Sequence, residues 1–366
     1  MIRRAAALAW CAAAIVLGAR FALPDVAARA SLPGRLSDQA FWALSERLSE
    51  PNGTFHSENF VSNEGRYQSV IPELVTRARQ GGVYLGVGPE QNFTYIVALR
   101  PSMAFIIDIR RGNLHEHLLY KALIEMSTDR ADFLSRLFSR KRPTAVGVHS
   151  TVEQLFAAYF PIEPSPALYA QNLAAVLDWL VTRHGFRLRD EDRPGIDHVY
   201  KTAFYAEGPN LGYSLLGARG RVGSPNYADL MTMDDGLGTQ RAFLTSEASF
   251  AIVKSLQLKN LIVPIVGDFS GPSALRSVGD YIREHGATVA AFYVSNVEQY
   301  LTPDRVWSRF CANVASMPLD ASSTFIRSVR GGAGITRAGA SASTNLFTSA
   351  LGAMQAESRS CGDGRW

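Results

Sequence analysis

The chain has 366 residues, 47% of them hydrophobic, enough for one large core or two ordinary ones. Its formal charge of +4 falls to +1 once the first 30 residues are set aside, since Arg3, Arg4, Arg20 and Arg29 leave together with Asp25. That balance gives no nucleic-acid signature, and the local run Arg136, Arg140, Lys141, Arg142 reads as a solvated helix end.

The chain opens on Arg3-Arg4, an Ala-rich apolar run over residues 5–18, and Ala28-Arg29-Ala30 ahead of Ser31. This is the pattern of a secretory leader over residues 1–30, too short for a comfortable membrane span. The expected location is therefore periplasmic or secreted. An uncleaved leader would instead leave the chain membrane-anchored or cytoplasmic. Trp10 before Cys11 does not suit a lipoprotein site, and no later stretch approaches 18 uninterrupted apolar residues. Cys311 and Cys361 remain after the leader, as a disulfide in an oxidising compartment or as free thiols.

Residues 31–80 read as mainly helical, with Ser37 as a cap before Phe41, Leu44 and Leu48 at helical spacing. Pro51-Asn52-Gly53 interrupts them, and a second helix runs from about Pro72 to Gln80. An apolar run from Val83 then stops at Gly86-Val87-Gly88, and a second ends at Ala104-Phe105-Ile106-Ile107-Asp108. This is the layout of a nucleotide-binding βαβ unit, in which glycines admit a ligand to the backbone and a later acid receives ribose hydroxyls. A helix is expected over 113–126. His115 and His117 within it read as surface residues, since their spacing lacks the His-Glu-x-x-His pattern of a metal site.

Residues 130–230 interrupt the alternation as a helical insertion. Leu173, Val176, Leu177 and Leu180 form a core-facing stripe stopped by Gly185, and residues 186–229 show no clear period. The alternation resumes with a strand expected over 230–233, a helix over 242–258 and a buried strand over 260–266 that carries Pro264. A helix between Pro272 and Gly286 and a strand over 288–294 follow. The expected fold is α/β and Rossmann-like: a mainly parallel twisted sheet with helices on both faces, N-terminal helices and a helical insertion. The α/β domain spans 31–330. Residues 331–366, rich in Gly, Ala and Ser, are expected to pack loosely or be disordered.

Ligands of such sheets bind at the carboxyl ends of the strands. Those ends carry Gly86 and Gly88, Asp108, Asp234-Asp235, Asp268 and Asn296. Asp and Asn also serve as ordinary turn formers after strands, so their convergence on one edge, more than any one of them, points to a pocket. Gly212-Tyr213-Ser214-Leu215-Leu216-Gly217 is one residue too long for a nucleophile elbow, and no P-loop occurs.

The stretches Tyr84-Leu85-Gly86-Val87-Gly88-Pro89-Glu90-Gln91-Asn92, Phe105-Ile106-Ile107-Asp108 and Phe292-Tyr293-Val294-Ser295-Asn296-Val297-Glu298 resemble class I S-adenosylmethionine-dependent methyltransferases. They resemble more closely a family of uncharacterised bacterial proteins sharing that fold. The resemblance implies S-adenosylmethionine as cofactor, with Gly86 and Gly88 along its amino-acid and ribose portions and Asp108 on its ribose hydroxyls. Tyr84 stands where these enzymes carry an acid, and Glu90 stands at their third glycine, where it could hold the methionine ammonium. Gln91 stands where a dinucleotide fingerprint requires glycine. Asp268, Asn296 or Glu298 would position an acceptor as the catalytic groups, with Tyr213 or Tyr300 walling the site. The leading expectation is a methyltransferase-like protein binding a small-molecule ligand. Because S-adenosylmethionine is made in the cytoplasm, an exported non-catalytic binding protein on the same scaffold is the second, and an NAD-dependent oxidoreductase the third.

Overall fold

The computed structural model describes residues 31–213, 224–302, 306–330 and 347–361. The expected leader lies outside these residues. The centre is a six-stranded sheet in the order β3-β2-β1-β4-β5-β6. Strands β1 (Val83–Gly86), β2 (Met103–Asp108), β3 (Ile262–Val266), β4 (Val289–Ser295) and β5 (Thr324–Arg330) run parallel. Only β6 (Phe347–Ala353) is antiparallel, against β5. Residues of β1, β2 and β3 are buried throughout, as continuous apolar runs must be in a sheet covered by helices on both faces. The expected Rossmann-like α/β arrangement is what the chain adopts.

Pro264 fits because β3 is an edge strand: it pairs with Ile106 on one side only, so its missing N–H deletes no ladder bond on the other. Its carbonyl accepts a 2.5 Å hydrogen bond from Ser45 Oγ on α1 (Asp38–Leu48). That helix is capped by Ser37, whose side chain accepts from the Ala40 N–H, and it buries Phe41, Leu44 and Leu48. Helix α2 (Ile71–Arg77) feeds β1, α3 (Gln91–Leu99) joins β1 to β2, and α4 (Arg111–Met126) follows β2.

The insertion supplies α5 (Arg130–Phe138), α6 (Val152–Tyr159), α7 (Pro166–Asp178), α8 (Asp192–Val199) and α9 (Tyr227–Thr232). Two sequence expectations are corrected here. Residues 192–199 are helical, and 230–233 belong mostly to α9, not to a strand. Asn226 and Asp229 cap each other's backbone N–H groups, and Tyr227, Leu230 and Met231 are buried at helical spacing. Arg140 is also corrected: it is buried and donates to the carbonyls of Tyr159 at 2.8 Å and Phe160 at 3.2 Å.

Helix α10 (Glu247–Leu258) starts later than expected because Ser246 caps it. Helix α11 (Ala274–Glu284) ends before Gly286, which takes φ +62°. Short α12 (Glu298–Leu301) and α13 (Trp307–Ala315) precede β5, and α14 (Met354–Ser360) follows β6. The loose tail expected from residue 331 is thus corrected for 347–361. Small polar side chains bury little there, yet β6 binds through its backbone along the whole of β5, from Thr324–Ala353 to Arg330–Phe347. A disulfide from Cys311 on α13 to Cys361 fastens its far end. No helix among the described residues is long and apolar enough to cross a membrane.

Candidate functional site

A cavity of about 510 Å³ opens at the carboxyl ends of β1 to β4, a volume in the range of small-ligand pockets. Four walls come from the sheet: the turn after β1, Asp108-Ile109 after β2, residues 267–272 after β3 and 295–297 after β4. Residues 54–64 close it from above as a strap.

The first wall is the glycine turn. A Cβ on Gly86 would fall 1.9 Å from Asn92 Oδ1, so glycine leaves room for the Asn92 side chain. Asn92 Nδ2 donates to the carbonyls of Val87 (3.0 Å), Gly88 (3.2 Å) and Pro89 (2.7 Å), while its Oδ1 accepts from Tyr84 at 2.8 Å. Tyr84 thereby steadies this clamp. Gly88 turns the chain at φ +76° and faces the cavity. From below, His117 Nε2 lies 2.9 Å from the Gly88 carbonyl. Burial pulls this imidazole down to about 4 against the pull of that carbonyl, so it is neutral at pH 7 and donates through Nε2.

Asp108, 5% exposed, faces the cavity with Oδ1 held by the Arg110 N–H at 2.9 Å and Arg110 Nε at 3.3 Å. Asp268 also lines it, and its Oδ1 accepts from the Ser270 N–H (2.8 Å) and Oγ (3.0 Å). Asn296, Tyr213 and Tyr300 are in the wall as well. Phe55 meets Tyr300 edge-on at 5.0 Å, with His56 5.4 Å from the same ring, so one side of the opening is aromatic.

Five expected residues are not in the wall. Asp234 and Asp235 follow a helix and not a strand, and Asp235 pairs instead with Arg241 at 2.6 Å. Gly86 packs against Asn92 beneath the turn. Glu298 turns away and pairs with Arg327 at 2.8 Å, so it is not placed to position an acceptor. Glu90 is fully buried behind the turn; burial pushes its carboxyl up to about 8, although the backbone N–H groups of Glu90 and Ser62 oppose the shift. His115 and His117 are corrected too, because both are buried, His115 against α8 and His117 against the glycine turn and Phe93. His115 Nε2 meets Asp192 at 2.8 Å, and Asp192 is shared with Arg111 Nε at 2.7 Å. No group of three or more His, Cys, Asp or Glu residues that could hold a metal occurs among the described residues.

No local pattern in the chain marks Glu64. It lies in the strap, is 2% exposed, and accepts through Oε1 from Tyr293 Oη (2.6 Å) and Ser295 Oγ (2.5 Å). Gln91 Nε2 donates in turn to Tyr293 Oη at 2.9 Å. Burial pushes the Glu64 carboxyl upward, while the Ser295 and Tyr293 hydroxyls pull the other way. Ser295 adopts φ +52°, a left-handed conformation unusual for a residue with a Cβ, where the β4–β5 register shifts. The strap itself is tied down. Glu50 Oε1 accepts from the N–H groups of Ser273 (2.7 Å) and Ala274 (2.8 Å) at the start of α11, and the Gly53 N–H donates to Ile109 O at 2.9 Å.

The arrangement offers a clamped turn backbone, an acid after β2, a buried carboxyl in the strap and an aromatic rim: groups with the chemistry to bind and orient a small polar molecule. Residues 59–359 match a domain of unknown function, DUF7790. No curated protein matches the chain.

Proposed function

The chain belongs to the DUF7790 family, and we propose that it binds an adenosyl ligand of the S-adenosylmethionine type, as a methyltransferase-like protein. The observation that carries this reading is the joint placement of Gly88 and Asp108 on adjoining walls of one cavity, at the carboxyl ends of neighbouring strands β1 and β2. The backbone turn would lie along the ligand and the Asp108 carboxylate would take the ribose diol. Methyl transfer chiefly requires alignment of donor and acceptor, and Asp268 and Asn296 are among the polar groups that the walls after β3 and β4 would offer an acceptor. An NAD-dependent oxidoreductase is less well supported. Glu90 and Gln91 interrupt the glycine fingerprint, and an antiparallel β6 departs from the parallel dinucleotide-binding sheet.

One observation favours a second reading. The Cys311–Cys361 disulfide suits an oxidising compartment, as does the leader-like residues 1–30. In such a compartment the same cavity would serve an exported, non-catalytic ligand-binding protein. Calorimetric titration of the full chain with S-adenosylmethionine, S-adenosylhomocysteine and NAD tests the proposal. Saturable binding of the two sulfur compounds without NAD supports it. NAD binding alone, or no binding of any of the three, refutes it.

A further inference from the structure

The cavity has two unlike sides. The walls after β2 and β3 carry carboxylates, and each is answered within the protein: Asp108 by Arg110 at 2.9 and 3.3 Å, Asp268 by Ser270 at 2.8 and 3.0 Å. Beyond Ser295 and Asn296 after β4 the wall turns apolar, with Val297, Leu301 and Val306 in it. Tyr300 on this side meets two rings of the strap, Phe55 edge-on at 5.0 Å and His56 at 5.4 Å between ring centres. All three rings line the cavity, and such a cluster receives the flat body of an aromatic molecule.

Arg309 completes this side. It lines the cavity from the first turn of α13, is exposed, and its guanidinium makes no hydrogen bond or ion pair among the described residues. Its helix is held in place. Phe310 is fully buried, its ring stacked 6.0 Å from that of Phe269 in the cavity wall, and Cys311 carries the disulfide. The base of Arg309 is thus fixed while its charged end lacks a partner. A guanidinium fork matches a carboxylate through two parallel hydrogen bonds, which an uncharged group cannot reproduce.

Resting on the adenosyl reading above for its role, we infer that the β4 side of the cavity takes a planar aromatic acid as second ligand, the methyl acceptor. Its ring lies against Phe55, His56 and Tyr300, and its carboxylate pairs with Arg309. The rings select the flat shape and the guanidinium selects the charge.

The full chain is titrated by calorimetry with 4-hydroxybenzoate and with 4-hydroxybenzamide, its uncharged isostere, each with and without saturating S-adenosylhomocysteine. The expected result is a preference of about tenfold or more for the acid, shrinking as salt is raised. Arg309→Gln should make the two affinities equal while leaving the amide's affinity, S-adenosylhomocysteine binding and the melting temperature unchanged. Tyr300→Leu should weaken acid and amide alike, and undiminished affinities there overturn the ring contact. Equal affinities in the native chain, a preference that survives Arg309→Gln, or binding of neither aromatic compound overturns the assignment; S-adenosylhomocysteine binding by the same chain then keeps the adenosyl reading. An acid bound as expected by a chain that binds no S-adenosylhomocysteine overturns the adenosyl reading and the acceptor role, and leaves the aromatic-acid site standing.

Discussion

His117 Nε2 on α4 sits 2.9 Å from the carbonyl oxygen of Gly88, so the helix after β2 holds the turn after β1 from beneath. Asn92 grips the same carbonyl from the start of α3 at 3.2 Å. The cavity's glycine wall is thus fixed from two directions before any ligand arrives. His117→Leu should cost about 1–3 kcal/mol, the loss of a buried hydrogen bond with its acceptor left in place. Urea unfolding measures this, and a change below about 0.5 kcal/mol would show that Asn92 alone fixes the turn.

The buried groups around the turn set the pH dependence of stability. His117 drops from its ordinary 6.5 to about 4 in the fold, so its contribution is present above pH 6.5 and is lost as pH falls toward 4. Glu90 rises from 4.5 to about 8, so its contribution is present below pH 4.5 and is lost as pH rises toward 8. The two slopes oppose each other at mildly acid pH. Above pH 6.5 only the acid slope remains, and Glu116, pushed well above the usual carboxylate range by burial, acts in the same sense. Stability should therefore fall from pH 6.5 to 8, and Glu90→Gln should recover about 2 kcal/mol of that fall. Denaturant midpoints at the two pH values decide it; a descent that Glu90→Gln leaves unaltered contradicts the assignment.

The two glycines of the turn should respond differently to alanine. At Gly88 a Cβ meets nothing nearer than Gln91 Nε2 at 3.7 Å, so Gly88→Ala should cost only the left-handed strain, about 1–2 kcal/mol. At Gly86 the Cβ would collide with Asn92, so Gly86→Ala should cost about 3 kcal/mol and loosen the turn. Thermal melts of the two variants would show the order reversed if the Asn92 clamp were not what fills the space above Gly86.

Much of this architecture was legible in the chain itself, for identifiable reasons. Val83 to Gly86 and Met103 to Asp108 are continuous apolar runs that only a doubly covered strand tolerates, and the cavity wall begins at their carboxyl ends, with Gly88 and Asp108. The 230–233 segment misled because Leu-Met-Thr-Met suits strand and helix alike, and the deciding Asn226–Asp229 capping box lies just before it. Residues 347–361 misled because composition reports side-chain burial, whereas β6 is held by backbone pairing and a disulfide. Glu64 was invisible for a different reason. Its partners Tyr293 and Ser295 are more than 200 residues away, and no local pattern encodes a contact of that range.

The tail should depend on its covalent tie. The Cys311–Cys361 bond closes a 50-residue separation, and removing it should lower stability by about 2–4 kcal/mol. Melts with and without reductant measure this directly. Cys361→Ser should reproduce the reduced value and become insensitive to reductant; a native melt that ignores reductant would mean the bond contributes nothing to holding β6 and α14.

If Asp108 and the Gly88 turn form one ligand site, calorimetry of S-adenosylhomocysteine binding to the full Asp108→Asn chain must show it. Asparagine keeps the acceptor for the Arg110 N–H but loses the charge that would take a ribose diol. Affinity should weaken by about tenfold or more, roughly 1.4 kcal/mol, with an unchanged melting temperature. Undiminished affinity would contradict it.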